Sequence, residues 1–128
     1  MRVFILEDDP GLRFALSEAM TEVGYTVYTA GDIDTALELL GRVAPDLFLL
    51  DLMIGEHLST QIADLAGYRF PKSNVVYITG SRKFPNGELF SLFSNTARVM
   101  RKPVDFGELR AVTEHLAHAQ YDTAMTAH

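Results

Sequence analysis

The chain contains no cysteine. That absence removes both a disulfide framework and a thiolate metal site, and it fits a cytoplasmic protein. There is no surplus of positive charge either. Seventeen acidic side chains against eleven basic ones leave a formal net charge of −6, with the acids spread along the chain. Broad binding to the phosphate backbone of DNA or RNA is therefore not expected. No apolar run approaches the ~20 residues that a membrane span requires. The N-terminal run Val3-Phe4-Ile5-Leu6 is short and meets Glu7, Asp8 and Asp9 at once, so it does not read as a signal peptide. At 128 residues there is no length for a second domain. What remains is one globular domain, with 48% hydrophobic residues to build its core.

Five short apolar runs stand out: Val3-Phe4-Ile5-Leu6, residues 25–30, Leu47-Phe48-Leu49-Leu50, Val75-Val76-Tyr77-Ile78 and residues 97–100. Several are continuous rather than alternating, as expected of strands buried on both faces of a parallel sheet. Helical patterns fall between them. Asp9-Pro10 reads as an N-cap with proline in the first turn. Leu12, Ala15, Leu16, Ala19 and Met20 then recur at helical spacing up to Gly24. Asp32 or Asp34 starts a second helix that ends near Gly41. A third is expected over about 60–66, before Gly67, and a short fourth over about 88–93. The fifth opens on a capping box, Asp105 with Glu108, and runs to about Ala119. Residues 1–120 thus form the domain and 121–128 a C-terminal tail. Strand and helix alternate five times, which predicts an α/β fold: a three-layer, doubly wound, flavodoxin-like (βα)5 domain with a five-stranded parallel sheet.

In open sheets of this kind, ligands bind at the carboxyl ends of the strands. Strand one ends in Glu7-Asp8-Asp9, strand three in Asp51, strand four in Thr79 and strand five in Lys102. In the common order 2-1-3-4-5, strands one and three are neighbours, and the acids converge. Glu7, Asp8 and Asp51 in one pocket would repel one another unless a cation compensates. A hard divalent ion with oxygen ligands answers that need, and Mg2+ suits one or two carboxylates plus water and a phosphate oxygen. Lys102 adds a fixed positive charge. Acids, metal, lysine and a hydroxyl around one further carboxylate suit phosphoryl transfer, with the carboxylate as nucleophile. Asp51, alone at its strand end, is the best candidate.

These pieces resemble the CheY-like response-regulator receiver family of two-component signalling over residues 2 to about 119. The resemblance rests on Arg2-Val3-Phe4-Ile5-Leu6-Glu7-Asp8-Asp9-Pro10, Pro45-Asp46-Leu47-Phe48-Leu49-Leu50-Asp51-Leu52-Met53, Val75-Val76-Tyr77-Ile78-Thr79-Gly80 and Arg101-Lys102-Pro103. It implies that Asp51 is the phosphoacceptor and a metal ligand. Asp8 would bind Mg2+ directly, Glu7 through water, and Met53 through its backbone carbonyl. Thr79 would bond the phosphoryl oxygen, Lys102 would pair with it, and the Lys102-Pro103 bond would be cis. A sensor histidine kinase or a histidine phosphotransfer protein would donate the phosphoryl group. The signal would pass by protein contact to a downstream target, through a surface around the fourth helix, fifth strand and fifth helix that could also serve a homodimer. Beyond self-phosphorylation and slow self-dephosphorylation, no enzymatic activity is implied.

Three positions depart from the family pattern. Gly55 stands where proline is usual, four residues after Asp51. Ser59 stands where glycine is frequent, and Val99 where a Tyr or Phe commonly swings inward on activation. The loop 54–58 is thus expected to differ in shape or mobility, and the readout on strand five to differ from the usual relay. Asn95 replaces a frequent glycine, as a left-handed cap. Several residues have blander readings. Asp9 is better explained as a helix cap than as a ligand. His115 and His118, three apart on the last helix, read as a solvated face because no third metal ligand accompanies them. His57, in the loop after Asp51, could at most tune hydrolysis. Leu89, Phe90, Leu92 and Phe93 read as core, unless left exposed as a partner surface. Two other functions compete. One is a pseudo-receiver, an interaction module that works without phosphate; the complete set Glu7, Asp8, Asp51, Thr79 and Lys102 weighs against it. The other is a Mg2+-dependent phosphohydrolase of the haloacid-dehalogenase type, which would need an Asp-x-Asp motif after strand one and a cap insertion.

Overall fold

A computed structural model describes residues 1–80 and 95–126. Five parallel strands form one sheet: β1 (Arg2–Leu6), β2 (Thr26–Ala30), β3 (Leu47–Asp51), β6 (Asn74–Thr79) and β7 (Thr96–Arg101), in the order β2-β1-β3-β6-β7. This is the expected 2-1-3-4-5 order, with two extra short strands intervening in the chain. Those two, β4 (Met53–Ile54) and β5 (His57–Leu58), pair antiparallel as a small hairpin. The helices are α1 (Pro10–Val23), α2 (Ile33–Leu40), α3 (Thr60–Arg69) and α4 (Phe106–Thr126). The helix expected over 88–93, with Leu89, Phe90, Leu92 and Phe93, lies outside the described residues. Among the described helices, none is long and apolar enough to cross a membrane.

Strand alternation builds two cores. Val3, Ile5, Leu47, Leu49, Val76 and Ile78 face α1 and α4, where Leu16, Met20 and Leu109 meet them. Phe4, Leu6, Phe48, Leu50, Val75 and Tyr77 face α2 and α3, against Ala36, Leu40, Ile62, Ala63 and Ala66. Each fully buried Leu, Ile or Phe contributes about 1.5–3 kcal/mol through apolar surface withdrawn from water. Burial on both faces is why the runs are continuous instead of alternating.

The helix starts follow the capping chemistry. Asp9 Oδ1 accepts the Gly11 N–H at 3.0 Å and Pro10 opens α1. Gly24 closes it with a left-handed φ of 105°, which glycine adopts without steric cost. Asp32, rather than Asp34, caps α2, accepting from the Thr35 N–H at 2.7 Å. Asp105 Oδ1 accepts the Glu108 N–H at 3.0 Å in front of α4. Two helix ends differ from the sequence expectation. The third helix does not stop at Gly67 but runs to Arg69. A Cβ on Gly67 would stand in ordinary contact with the Asn95 amide, 3.6 Å away, and that amide donates to the Ala63 carbonyl at 3.3 Å. The last helix passes Ala119 and continues to Thr126, since no glycine or proline between Gln120 and Thr126 interrupts it.

Candidate functional site

Register brings the strand ends to one place. Leu6 pairs with both Ala30 and Leu50, Asp51 with Ile78, and Thr79 with Arg101. Glu7 therefore stands beside Asp51, and Lys102 follows β7 at the level of Thr79. The Lys102 N–H donates to the Thr79 carbonyl at 2.9 Å, and the Lys102-Pro103 bond is cis. Glu7, Asp8 and Asp51 each present a carboxylate oxygen within 4.8 Å of the others. Among the described residues, no other set of three such side chains is so arranged.

Glu7 and Asp51 are almost fully buried, while Asp8 is exposed at the rim. The Lys102 Nζ lies 2.9 Å from Glu7 Oε1 and 3.0 Å from Asp51 Oδ2. Only the second contact is aligned as a hydrogen bond; the Glu7 oxygen is held by charge alone. Glu7 Oε2 accepts the Asp9 N–H at 3.2 Å, and Asp51 Oδ1 the Met53 N–H at 3.3 Å. Asp8 Oδ2 accepts the Gly55 N–H at 2.9 Å.

The electrostatics follow from this packing. Burial, and then the contact with Asp51, push the Glu7 carboxyl up to about 7, against the opposing pull of Lys102. The Gly55 amide holds Asp8 below the usual carboxylate range. Burial alone would lower the Lys102 ammonium, but its contacts with Glu7 and Asp51 outweigh that and raise it. Two buried carboxylates thus share one lysine, with a third carboxylate alongside. This oxygen-rich, under-compensated donor set fits a hard divalent cation.

The candidates from sequence are placed as follows. Glu7, Asp8, Asp51 and Lys102 are in mutual reach. Thr79 is buried at the end of β6, and Met53 begins the hairpin two residues past Asp51. His57 is exposed in that hairpin, and His115 and His118 are exposed on α4. Val99 pairs with the fully buried Tyr77 and packs against the core under α2 and α3. The unusual loop 54–58 is the β4–β5 hairpin itself, turning through Gly55 with φ of +60°. Two contacts were not legible beforehand. One is the Gly55 amide on Asp8; glycine between paired short strands is the one signal that pointed to a turn there. The other is Arg13, whose Nη1 donates to the Glu7 carbonyl at 2.9 Å, and nothing in the local sequence announces it.

Known proteins share this chain's family pattern and fold. A family model described as the response regulator receiver domain matches residues 3–114. The transcriptional regulatory protein AfsQ1 of Streptomyces coelicolor is 38% identical over 52 residues, 41% of this chain and 23% of that protein. The chain thus matches less than a quarter of the length of the first curated relatives. Among solved structures, a receiver domain of an HD-domain protein from Pseudomonas fluorescens superposes with a TM-score of 0.84 at 17% identity, covering 94% of this chain and 97% of that one. A Thermotoga maritima response regulator solved in complex with Mg2+ and BeF superposes at 0.76 with 23% identity, covering 90% and 97%. The fold likeness of these structures and the family match over most of the chain agree, and the chain belongs to the response regulator receiver domain family of two-component systems.

Proposed function

We propose that this receiver domain accepts a phosphoryl group on Asp51, with Mg2+ held by Asp8, Asp51 and the Met53 carbonyl, and by Glu7 through water. The observation that carries the reading is the shared lysine: Lys102 lies within 3.0 Å of both buried carboxylates, which leaves the acids short of positive charge. Mg2+ supplies that charge when bound and offsets the oxygens of the incoming phosphoryl group. An Asp51 oxygen attacks phosphorus, the donor's P–N or P–O bond breaks, and the leaving imidazole or carboxylate departs with the bonding pair. Lys102 and Thr79 flank the strand ends where the new phosphoryl oxygens would lie.

The donor, in this reading, is a sensor histidine kinase or a histidine phosphotransfer protein, and the acyl phosphate shifts a two-state equilibrium read by a protein partner. The domain acts as a signalling element whose own chemistry is limited to taking up and slowly losing phosphate. With Val99 in place of a large aromatic, transmission along β7 proceeds without that side chain's rotamer change. Incubation with Mg2+ and acetyl phosphate, followed by intact-mass measurement, tests the core of this. Wild type gains one phosphate and Asp51→Asn gains none; no uptake by wild type sinks the proposal and revives a phosphate-independent interaction module.

A further inference from the structure

The acids at the end of β1 are aimed by a side chain outside their own cluster. The last ladder bond of β1 runs from the Glu7 N–H to the Ala30 carbonyl at 3.1 Å. One atom group further on, the Glu7 carbonyl has left the ladder, and a nearly buried backbone acceptor needs a donor. Arg13 provides it. Its guanidinium reaches back from the first turn of α1 and Nη1 donates to that carbonyl at 2.9 Å. Among the described residues Arg13 forms no ion pair, although an acidic cluster stands close by. The space it uses is kept open by Gly31. A Cβ on Gly31 would lie 2.5 Å from Arg13 Nη1 and 3.2 Å from Cζ, so a methyl there would force the guanidinium to move. Asp32, next in the chain, caps α2.

We infer that Arg13 is a positioning residue for the acidic pair, seated over Gly31 and clamping the Glu7–Asp8 peptide. This rests on the reading of Glu7 and Asp8 as metal-holding acids. The peptide is planar, so the Glu7 carbonyl and the Asp8 N–H turn together. Fixing the carbonyl therefore fixes the direction in which Asp8 leaves the strand, while the Asp9 N–H on Glu7 Oε2 steadies the neighbouring side chain. A charged donor on a neutral carbonyl makes a short, strong bond, and the rigid guanidinium fork defines its direction better than an ammonium would. Arg13 touches neither phosphoryl group nor metal. Its effect passes through the backbone.

Calorimetric Mg2+ titration and 1H–15N spectra of the full chain test this. Arg13→Ala is expected to weaken Mg2+ binding by about 10-fold, the scale on which outer partners of metal ligands act, and to shift the Asp8 amide 15N resonance. Arg13→Lys recovers part of both. Gly31→Ala, with Arg13 present, changes both in the same direction, and in an Arg13→Ala background it adds nothing. A folded Arg13→Ala chain with unchanged Mg2+ affinity and an unmoved Asp8 resonance overturns the inference, as do additive effects of the two substitutions. If Arg13→Ala does not fold, Arg13→Lys and Gly31→Ala carry the same comparison. A wild-type chain that binds no Mg2+ overturns the metal reading instead, while the Asp8 resonance across the four variants still decides whether Arg13 holds the peptide.

Discussion

The two ends of the sheet carry charge in opposite ways. At the amino end, Arg2 and Asp46 form a one-to-one pair 3.9 Å apart, with side chains 50% and 36% exposed. The Arg2 N–H donates to Asp46 Oδ2 at 2.8 Å, and the Asp46 carbonyl accepts from Asn74 and from Gln120. Backbone and side-chain partners meet these groups directly. At the carboxyl end, Glu7 and Asp51 are 1% and 7% exposed as side chains and share Lys102. Between the ends run the same apolar residues, all but fully buried. The difference shows where the fold can hold unmet charge. Charge at the amino end closes loops, whereas the negative charge gathered at the carboxyl end costs stability until a cation arrives.

Removing the shared cation breaks the comparison most severely. Lys102→Ala leaves two buried carboxylates without their partner, and stripping one member from a buried pair costs about 4 kcal/mol. Urea denaturation of the metal-free protein at pH 8 is expected to show a loss of that order. At pH 5 the loss shrinks, because Glu7 is then protonated and needs the lysine less. An equal loss at both pH values would mean that Lys102 acts through packing of its stem and not through charge.

The second test uses pH alone. Glu7 has its folded value raised from 4.5 to about 7 by burial and by Asp51. As pH rises from 4.5, the unfolded chain gives up this proton first. The stabilisation is therefore complete below 4.5 and is lost as pH climbs to about 7, beyond which the curve is flat. The whole shift corresponds to about 3 kcal/mol. Denaturation midpoints measured without metal should fall across that window, and Glu7→Gln should flatten the fall. Added Mg2+ should restore stability chiefly above pH 7, where the ionised site is available. A metal-free curve in which Glu7→Gln leaves the slope untouched would place the strain elsewhere.

A smaller effect is expected at the hairpin that borders the acidic end. Gly55 turns with φ of +60° and its N–H fixes Asp8. Gly55→Ala keeps the N–H but places a Cβ in the left-handed region, which costs about 1 kcal/mol. Thermal melts should register that loss. If the turn keeps its shape, the Asp8 contact survives and Mg2+ affinity stays near wild type; a large drop in affinity would show the hairpin to be a working part of the site.

What was legible in the sequence follows the same division between local and distant causes. The runs Val3-Phe4-Ile5-Leu6 and Leu47-Phe48-Leu49-Leu50 announce buried parallel strands because both their faces are covered. Asp9-Pro10 and Asp105 announce helix starts because capping needs only a few consecutive residues. The convergence of Glu7, Asp8, Asp51 and Lys102 became readable once strand order was assumed, since each stands at a strand end. Gly67 misled as a helix stop because α3 carries it in its last turn, two residues before the helix ends at Arg69, where one glycine costs the helix only about 1 kcal/mol. Arg13 on the Glu7 carbonyl, and the need for Gly31 beneath it, depend on how α1 lies against two strands. No local pattern encodes that.

The mildest test belongs to the amino end and asks whether it is as independent of the site as its chemistry suggests. Asp46→Ala removes the half-exposed ion pair with Arg2 and the bond from the Arg2 N–H. The backbone bonds of residue 46 remain: its N–H still donates to the Arg2 carbonyl and its own carbonyl still accepts from Asn74 and Gln120. Exposed pairs contribute roughly 0–1 kcal/mol and are screened by salt, so the expected loss is below about 1 kcal/mol and diminishes in high salt. The path from Asp46 to Glu7 and Asp51 runs through apolar β1 and β3 alone, which carry no charge between the ends. Mg2+ affinity and phosphoryl uptake should therefore match wild type. A change in either, at unchanged fold, would mean that β1 or β3 shifts as a rigid rod, and that the closed end of the sheet helps to set the open one.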